Sequence, residues 1–243
     1  MPKVNILKVI DKTDSFYTKI DQFFDLPFKL LINGKSQLSG KSTIILNLLK
    51  NPMFPYEKLF DGDDIYIVSN NKLDNKLSIL MESHDIPENN HMTFDEDVLE
   101  NLYDNLEDQF IEETQVEGGK PKNRLIIFDD CGYSGSLKNK NFGIITKMIC
   151  NGRHLNLSQI YTSQRFSQVS TTLRTNITGA ILFNTSMKEL ELIAEDMNYM
   201  DNKNKFIKMY RNHTKDKHSF IVTNFSNPTN EMYLDQHFEP IGF

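Results

Sequence analysis

The sequence predicts an α/β protein built on a mostly parallel central sheet flanked by helices. Three observations carry that expectation. Apolar runs of strand length alternate with segments of helical periodicity along most of the 243 residues. One such run, Phe28 to Ile32, feeds a polar loop ending in Gly40-Lys41-Ser42-Thr43, after which Ile44, Ile45, Leu48 and Leu49 fall on one helical face. Another, Leu125 to Phe128, ends in the paired carboxylates Asp129 and Asp130, the pattern of a buried parallel strand with acids at its ligand-binding edge.

Strand, loop and helix in that order are the context of a phosphate-binding P-loop. The loop comprises Gly34, Lys35, Ser36, Gln37, Leu38, Ser39, Gly40, Lys41, Ser42 and Thr43. Its N–H groups and the positive end of the following helix form an anion nest for a triphosphate. Lys41 would reach the β- and γ-phosphates of ATP, and the Ser42 hydroxyl would hold Mg²⁺. One departure stands out. The usual spacing places a glycine five residues before Gly40, where this chain has Lys35, and Gly34 lies one residue early. Either the loop is one residue longer, or Lys35 takes the first position with an altered turn.

The chain before the loop, residues 1–27, has weak periodicity and reads as an arm on a P-loop domain spanning 28–223. The helix after the loop ends near Asn51, because Pro52 disfavours helix in the residue before it. A strand follows at Asp64 to Ser69. The next helix carries Leu73, Leu77, Leu80 and Met81 on one face and stops before Pro87. An acidic helix then has Val98, Leu99, Leu102, Leu106 and Phe110 as its apolar stripe. Beyond a glycine-containing loop at 115–123 comes the strand ending in Asp129 and Asp130, located 88 residues after Lys41. There Asp129 would hold Mg²⁺ through water, and Asp130 would polarise an attacking water.

A loop at 131–141 bears Lys138 and Lys140. A helix with Ile144, Ile145, Met148 and Ile149 precedes the turn Gly152-Arg153-His154. A fourth strand, Leu157 to Thr162, ends in Ser163-Gln164, which places Gln164 as a candidate sensor of the γ-phosphate and water. A fifth strand lies at Ala180 to Phe183, and a helix at Met187 to Met197. Phe206 to Tyr210 and Phe220 to Val222 alternate as in a closing hairpin, and 224–243 reads as a surface-lying extension.

Composition narrows the classes. Hydrophobic content of 39% and charged content of 25% are those of an ordinary globular protein, with no apolar run of membrane-spanning length and no signal-peptide core at the N-terminus. The two cysteines make no disulfide framework and no metal spacing. The net charge of −6 is local: residues 95–113 hold nine acids and no Lys or Arg, and the remainder has 24 acids against 27 bases. A basic surface for nucleic acid is therefore compatible with the composition.

The ordered set Ile126-Ile127-Phe128-Asp129-Asp130, Gly152-Arg153-His154-Leu155-Asn156, Thr162-Ser163-Gln164 and Leu173-Arg174-Thr175-Asn176 resembles the FtsK–HerA superfamily, specifically the genome-packaging ATPases of large DNA viruses and virophages. The resemblance covers roughly residues 28–197. It implies a P-loop fold of the additional-strand (ASCE) type, a homo-oligomeric ring, and ATP hydrolysis coupled to moving double-stranded DNA into a capsid. It implies further that Lys41 and Ser42 bind phosphate and Mg²⁺, that Asp129 and Asp130 are the Walker B pair, and that Gln164 is the sensor. An arginine of the next subunit, Arg153 or Arg174, would complete the site. Capsid or portal proteins would be partners, in the host cytoplasm or the virion, with Lys138 and Lys140 as DNA contacts. Two other classes stay open: a nucleoside kinase, disfavoured because the five arginines at 124, 153, 165, 174 and 211 form no lid-like cluster, and a non-hydrolysing assembly protein, favoured if Lys35 disables the loop.

Overall fold

The computed structural model describes residues 16–35, 39–71, 74–131 and 143–242. Ser36, Gln37, Leu38, Leu73, Lys138 and Lys140 lie outside them. Eight strands, β1 (Lys29–Asn33), β2 (Ile65–Ser69), β3 (His91–Met92), β4 (Arg124–Asp129), β5 (Leu157–Ser163), β6 (Gly179–Phe183), β7 (Phe220–Asn224) and β8 (Tyr233–Leu234), form one sheet. Their order is β3-β2-β4-β5-β1-β6-β7-β8, and every strand runs the same way except β7. The carboxyl ends of β1, β4, β5 and β6 therefore share one edge with the start of β7. Strand β5 is inserted between the P-loop strand β1 and the acid-bearing strand β4, which is the additional-strand arrangement.

Apart from the two-residue β3, the strands are buried throughout because both faces are covered. On one face Leu30, Ile32, Leu125 and Ile127 pack with α1 (Lys41–Lys50) and α2 (Asn75–Ser83). On the other, Leu31, Ile126 and Phe128 pack with α3 (Glu96–Gln115), α4 (Gly143–Asn151), α5 (Thr171–Asn176), α6 (Met187–Met197) and α7 (Lys203–His213). Alternate residues of one strand thus serve opposite cores, as a period of two requires.

In α3 the buried positions are Leu99, Tyr103 and Leu106, whereas Val98 is exposed. Tyr103 stands four residues after Leu99, on the buried face, while Val98 is rotated about 100° from it. The expected hairpin around 211–218 is replaced by α7 leading into β7. Phe206, Met209 and Tyr210 recur at helical spacing, and the Asn202 side chain caps the helix by accepting from the Asn204 N–H. Strand β7 pairs with β6 instead.

The chain ends contribute more than expected. Within the arm, Thr18 bridges Leu26, Phe24 is buried, and the Tyr56 hydroxyl accepts from the Phe24 N–H and donates to the Phe24 carbonyl. Residues 224–242 are not a surface-lying extension, because Tyr233 and Leu234 add a strand to β7, and Phe238 and Ile241 are buried. The fully buried Tyr233 hydroxyl donates to the Met197 carbonyl at 2.7 Å and accepts from the Tyr199 N–H at 2.8 Å. At the opposite edge from the P-loop, buried Arg124 pairs with Glu113 at 2.5 Å and lies 3.7 Å from Asp64, tying α3 to β2 and β4. Among the described residues no helix is long and apolar enough to cross a membrane.

Tyr233→Phe, which removes a buried hydroxyl from the Met197 carbonyl and the Tyr199 N–H, is expected to lower stability by about 1–3 kcal/mol in chemical denaturation. An unchanged midpoint would mean that the C-terminal strand is not integral to the domain.

Candidate functional site

The site lies at the carboxyl edge of the sheet, where β1, β4 and β5 end side by side. Gly40 opens α1 in the left-handed conformation at φ 94°, which an L side chain rarely adopts. Its geometry turns the loop so that the first turn of α1 presents Lys41, Ser42 and Thr43 to a cleft of about 620 Å³. The Lys41 ammonium is buried and donates to the Gly34 carbonyl at 2.8 Å, bridging the two ends of the loop. Burial pushes its pKa down, and the Asp130 and Asp129 carboxylates push it back up.

Gly34, not Lys35, is the position that requires glycine. A Cβ on Gly34 would meet the Ser39 Cβ at 2.6 Å and the Phe183 ring at 2.9 Å, and its N–H donates to the Ser163 carbonyl at 3.0 Å. Lys35 is exposed, and its carbonyl accepts from the Ser39 hydroxyl at 2.7 Å. The departure from the usual spacing is thus a loop one residue longer.

Across β5 stand the acids. The Thr162 hydroxyl donates to Asp129 Oδ1 at 2.8 Å and accepts from the Asp130 N–H at 2.8 Å. Asp129 is buried, which pushes its carboxyl pKa up from the ordinary 3.8; the Thr162 donation lowers it, the nearby Asp74 and Asp130 charges add to the rise, and Lys41 lowers it. Asp130 takes a left-handed φ of 52°, a conformation aspartate tolerates, and both its oxygens accept from the Gln164 amide at 2.9 and 3.1 Å. Lys41, Ser42, Asp129, Asp130 and Gln164 are therefore brought to one edge.

The two arginines separate. Arg153 precedes β5 at the edge opposite the P-loop, exposed and with no ion pair among the described residues. Arg174 is paired with Asp196 and lies over the Phe166 ring at 5.0 Å. Four site residues went unassigned in the sequence reading. Asp74 caps α2 through the Lys76 N–H and accepts from the Ser42 hydroxyl at 3.5 Å; its only sequence signal is an acid at a helix start. Thr162 is the next-to-last residue of β5, Phe183 ends β6, and His218 enters the cleft wall from the α7–β7 loop. The donor set at Ser42 and Asp129, hard oxygens at the mouth of a phosphate loop, fits Mg²⁺.

A family model described as Poxvirus A32 protein matches residues 16–237. Among solved structures, B204, the DNA-packaging ATPase from Sulfolobus turreted icosahedral virus, is 16% identical with a TM-score of 0.58, covering 89% of this chain and 98% of its own. The genome packaging NTPase B204 of Sulfolobus turreted icosahedral virus 2 in complex with AMPPCP is 16% identical at a TM-score of 0.53, covering 82% and 93%. ATPases 2 and 3 of EssC from Geobacillus thermodenitrificans are 15% identical at 0.56, covering 86% of this chain and 39% of theirs. No curated protein matches the chain.

Two predictions follow from this geometry. Gly34→Ala should destabilise the protein by about 1–3 kcal/mol through the clash with Ser39 and Phe183, and Lys35→Ala should stay within roughly 0.5 kcal/mol; thermal melts of both variants read the difference. Asp129→Asn should raise the Tm of the ligand-free protein near neutral pH, since it removes a buried charge while keeping an acceptor for Thr162. The folded-state carboxyl pKa is raised, so the wild type loses stability as pH rises from 3.8 through that higher value. The gap between variant and wild type should accordingly close as pH falls toward 3.8. A gap that is absent at neutral pH would refute the burial argument.

Proposed function

The chain belongs to the Poxvirus A32 protein family, and on that premise we propose that it is an ATPase of the FtsK–HerA type that drives double-stranded DNA into a viral capsid. The observation that carries the reading is the pairing of Gln164, which follows the strand next to the P-loop strand, with both oxygens of Asp130, just past the end of β4. That pairing holds a carboxylate at the edge where the γ-phosphate of a bound ATP would lie. Lys41 and the N–H groups of the first turn of α1 bind the phosphates. Ser42 and Asp129 would hold Mg²⁺, which supplies charge neutralisation on the β- and γ-oxygens. Asp130 orients a water and accepts its proton as the water oxygen bonds to the γ-phosphorus and the bond to the ADP oxygen breaks. Gln164, already on Asp130, senses whether the γ-phosphate is present.

The B204 structures with an ATP analogue support the same assignment by fold alone. A ring of identical subunits would let an arginine of one copy reach the site of the next. Arg153 suits that role better than Arg174, because it is exposed and has no ion pair among the described residues, while the Arg174 guanidinium is engaged by Asp196. Capsid or portal proteins are the partners of such a motor, and the infected cell and the virion are its settings.

Turnover of ATP with and without double-stranded DNA tests this. DNA should stimulate hydrolysis, DNA binding should fall steeply with added salt, and Lys41→Ala and Asp130→Asn should each lower turnover by about 100-fold or more. Stimulation by a nucleoside instead of DNA would make the protein a kinase. ATP binding without turnover, even at protein concentrations that favour a ring, would make it an assembly protein.

A further inference from the structure

The phosphate cleft has a second chamber, and the topology determines which end of a nucleotide it receives. The catalytic acids lie on the β4 and β5 side of the P-loop strand, so the γ-phosphate end of a triphosphate is fixed on that side. On the other side of β1 stand β6 and, antiparallel to it, β7. Phe183 ends β6 and pairs in register with Phe220, which starts β7. The reversal of β7 brings the loop that enters it, residues 214–219, to the carboxyl edge beside the P-loop. This loop walls a chamber of about 340 Å³ that shares Ser39, Phe183 and His218 with the phosphate cleft. The volume is that of a small-molecule subsite.

We propose that this chamber is the nucleoside subsite, in which the base of the bound nucleotide stacks against the His218 imidazole beside the Phe183 ring. The proposal rests on the nucleotide-binding reading above. Three features support it. A Cβ placed on Gly40 would lie 3.9 Å from His218 Nδ1, so the imidazole borders the phosphate loop itself. The wall is preorganised: Thr214 donates through its N–H and hydroxyl to the Tyr210 carbonyl at 3.0 and 2.9 Å, and Ser219 does the same to the Asp216 carbonyl at 3.2 and 2.8 Å. His218 is held at φ 68°, a left-handed backbone conformation uncommon for a residue with a side chain. Lys215, Asp216 and Lys217 line the exposed rim of the chamber, where the two ammonium groups can meet the ribose hydroxyls or the α-phosphate.

Calorimetric titration of the full chain with ATP and with inorganic tripolyphosphate, both with Mg²⁺, separates the two halves of the cleft. The variants are His218→Gly, which suits the left-handed backbone and removes the ring, and His218→Phe, which retains a flat face. Loss of one base–aromatic stack should weaken ATP roughly tenfold in His218→Gly and leave tripolyphosphate unchanged, and His218→Phe should stay near wild type. ATP affinity equal in all three proteins would overturn the subsite and leave phosphate binding standing. Equal weakening of ATP and tripolyphosphate in His218→Gly would also overturn it, assigning His218 to the phosphate loop. Failure of the wild type to bind either ligand would remove the nucleotide reading itself.

Discussion

A buried carboxylate must find a donor, and for Asp129, among the described residues, that donor is the Thr162 hydroxyl. The Thr162 hydroxyl donates to the Asp129 carboxylate and accepts from the Asp130 N–H, so one side chain holds the carboxylate of the first acid and the backbone of the second. This is possible only because β5 lies beside β4 in a register that sets Phe128 opposite Tyr161, and hence the next residues opposite each other. Were β4 to neighbour β1 directly, the acids would have to take their donors from the P-loop strand. The inserted strand is therefore a chemical requirement of the site as much as a topological label. The same strand continues into Gln164, which completes the set on Asp130.

The site stores electrostatic tension that the fold tolerates. Lys41 and Asp129 are both buried with pKa values shifted toward their neutral forms, each partly offset by the other. Functional sites commonly hold such groups, at a cost to stability that the rest of the fold makes good. Here the two cores, one on each sheet face, provide that reserve.

Much of this was legible in the residues. The P-loop, the acid pair and the strand before Gln164 each combine an apolar run with polar residues at its end, and the sheet aligned those ends. The role of Gly34 was not settled, because spacing alone cannot tell a longer loop from a lysine in the glycine position; the clash with Ser39 and Phe183 decides it. Helix α7 was misread because Phe206 to Tyr210 is short enough to fit either period, and its cap at Asn202 is the discriminating signal. Asp74 and His218 were illegible for a different reason: each comes to the site through a loop whose direction depends on the strand it joins. His218 reaches the cleft because β7 runs backwards, which no local pattern announces.

The edges of the sheet carry a last consequence. Both outermost strands, β3 and β8, are two residues long, and β8 is followed by Pro240, which bridges back to Leu234. Short, folded-over margins offer no length of unpaired backbone on which another strand could be templated. Copies of this protein crowded together are thereby guarded against zipping into a continuous β-structure. At these two margins, association between copies is left to side chains, whose contacts can be made and released.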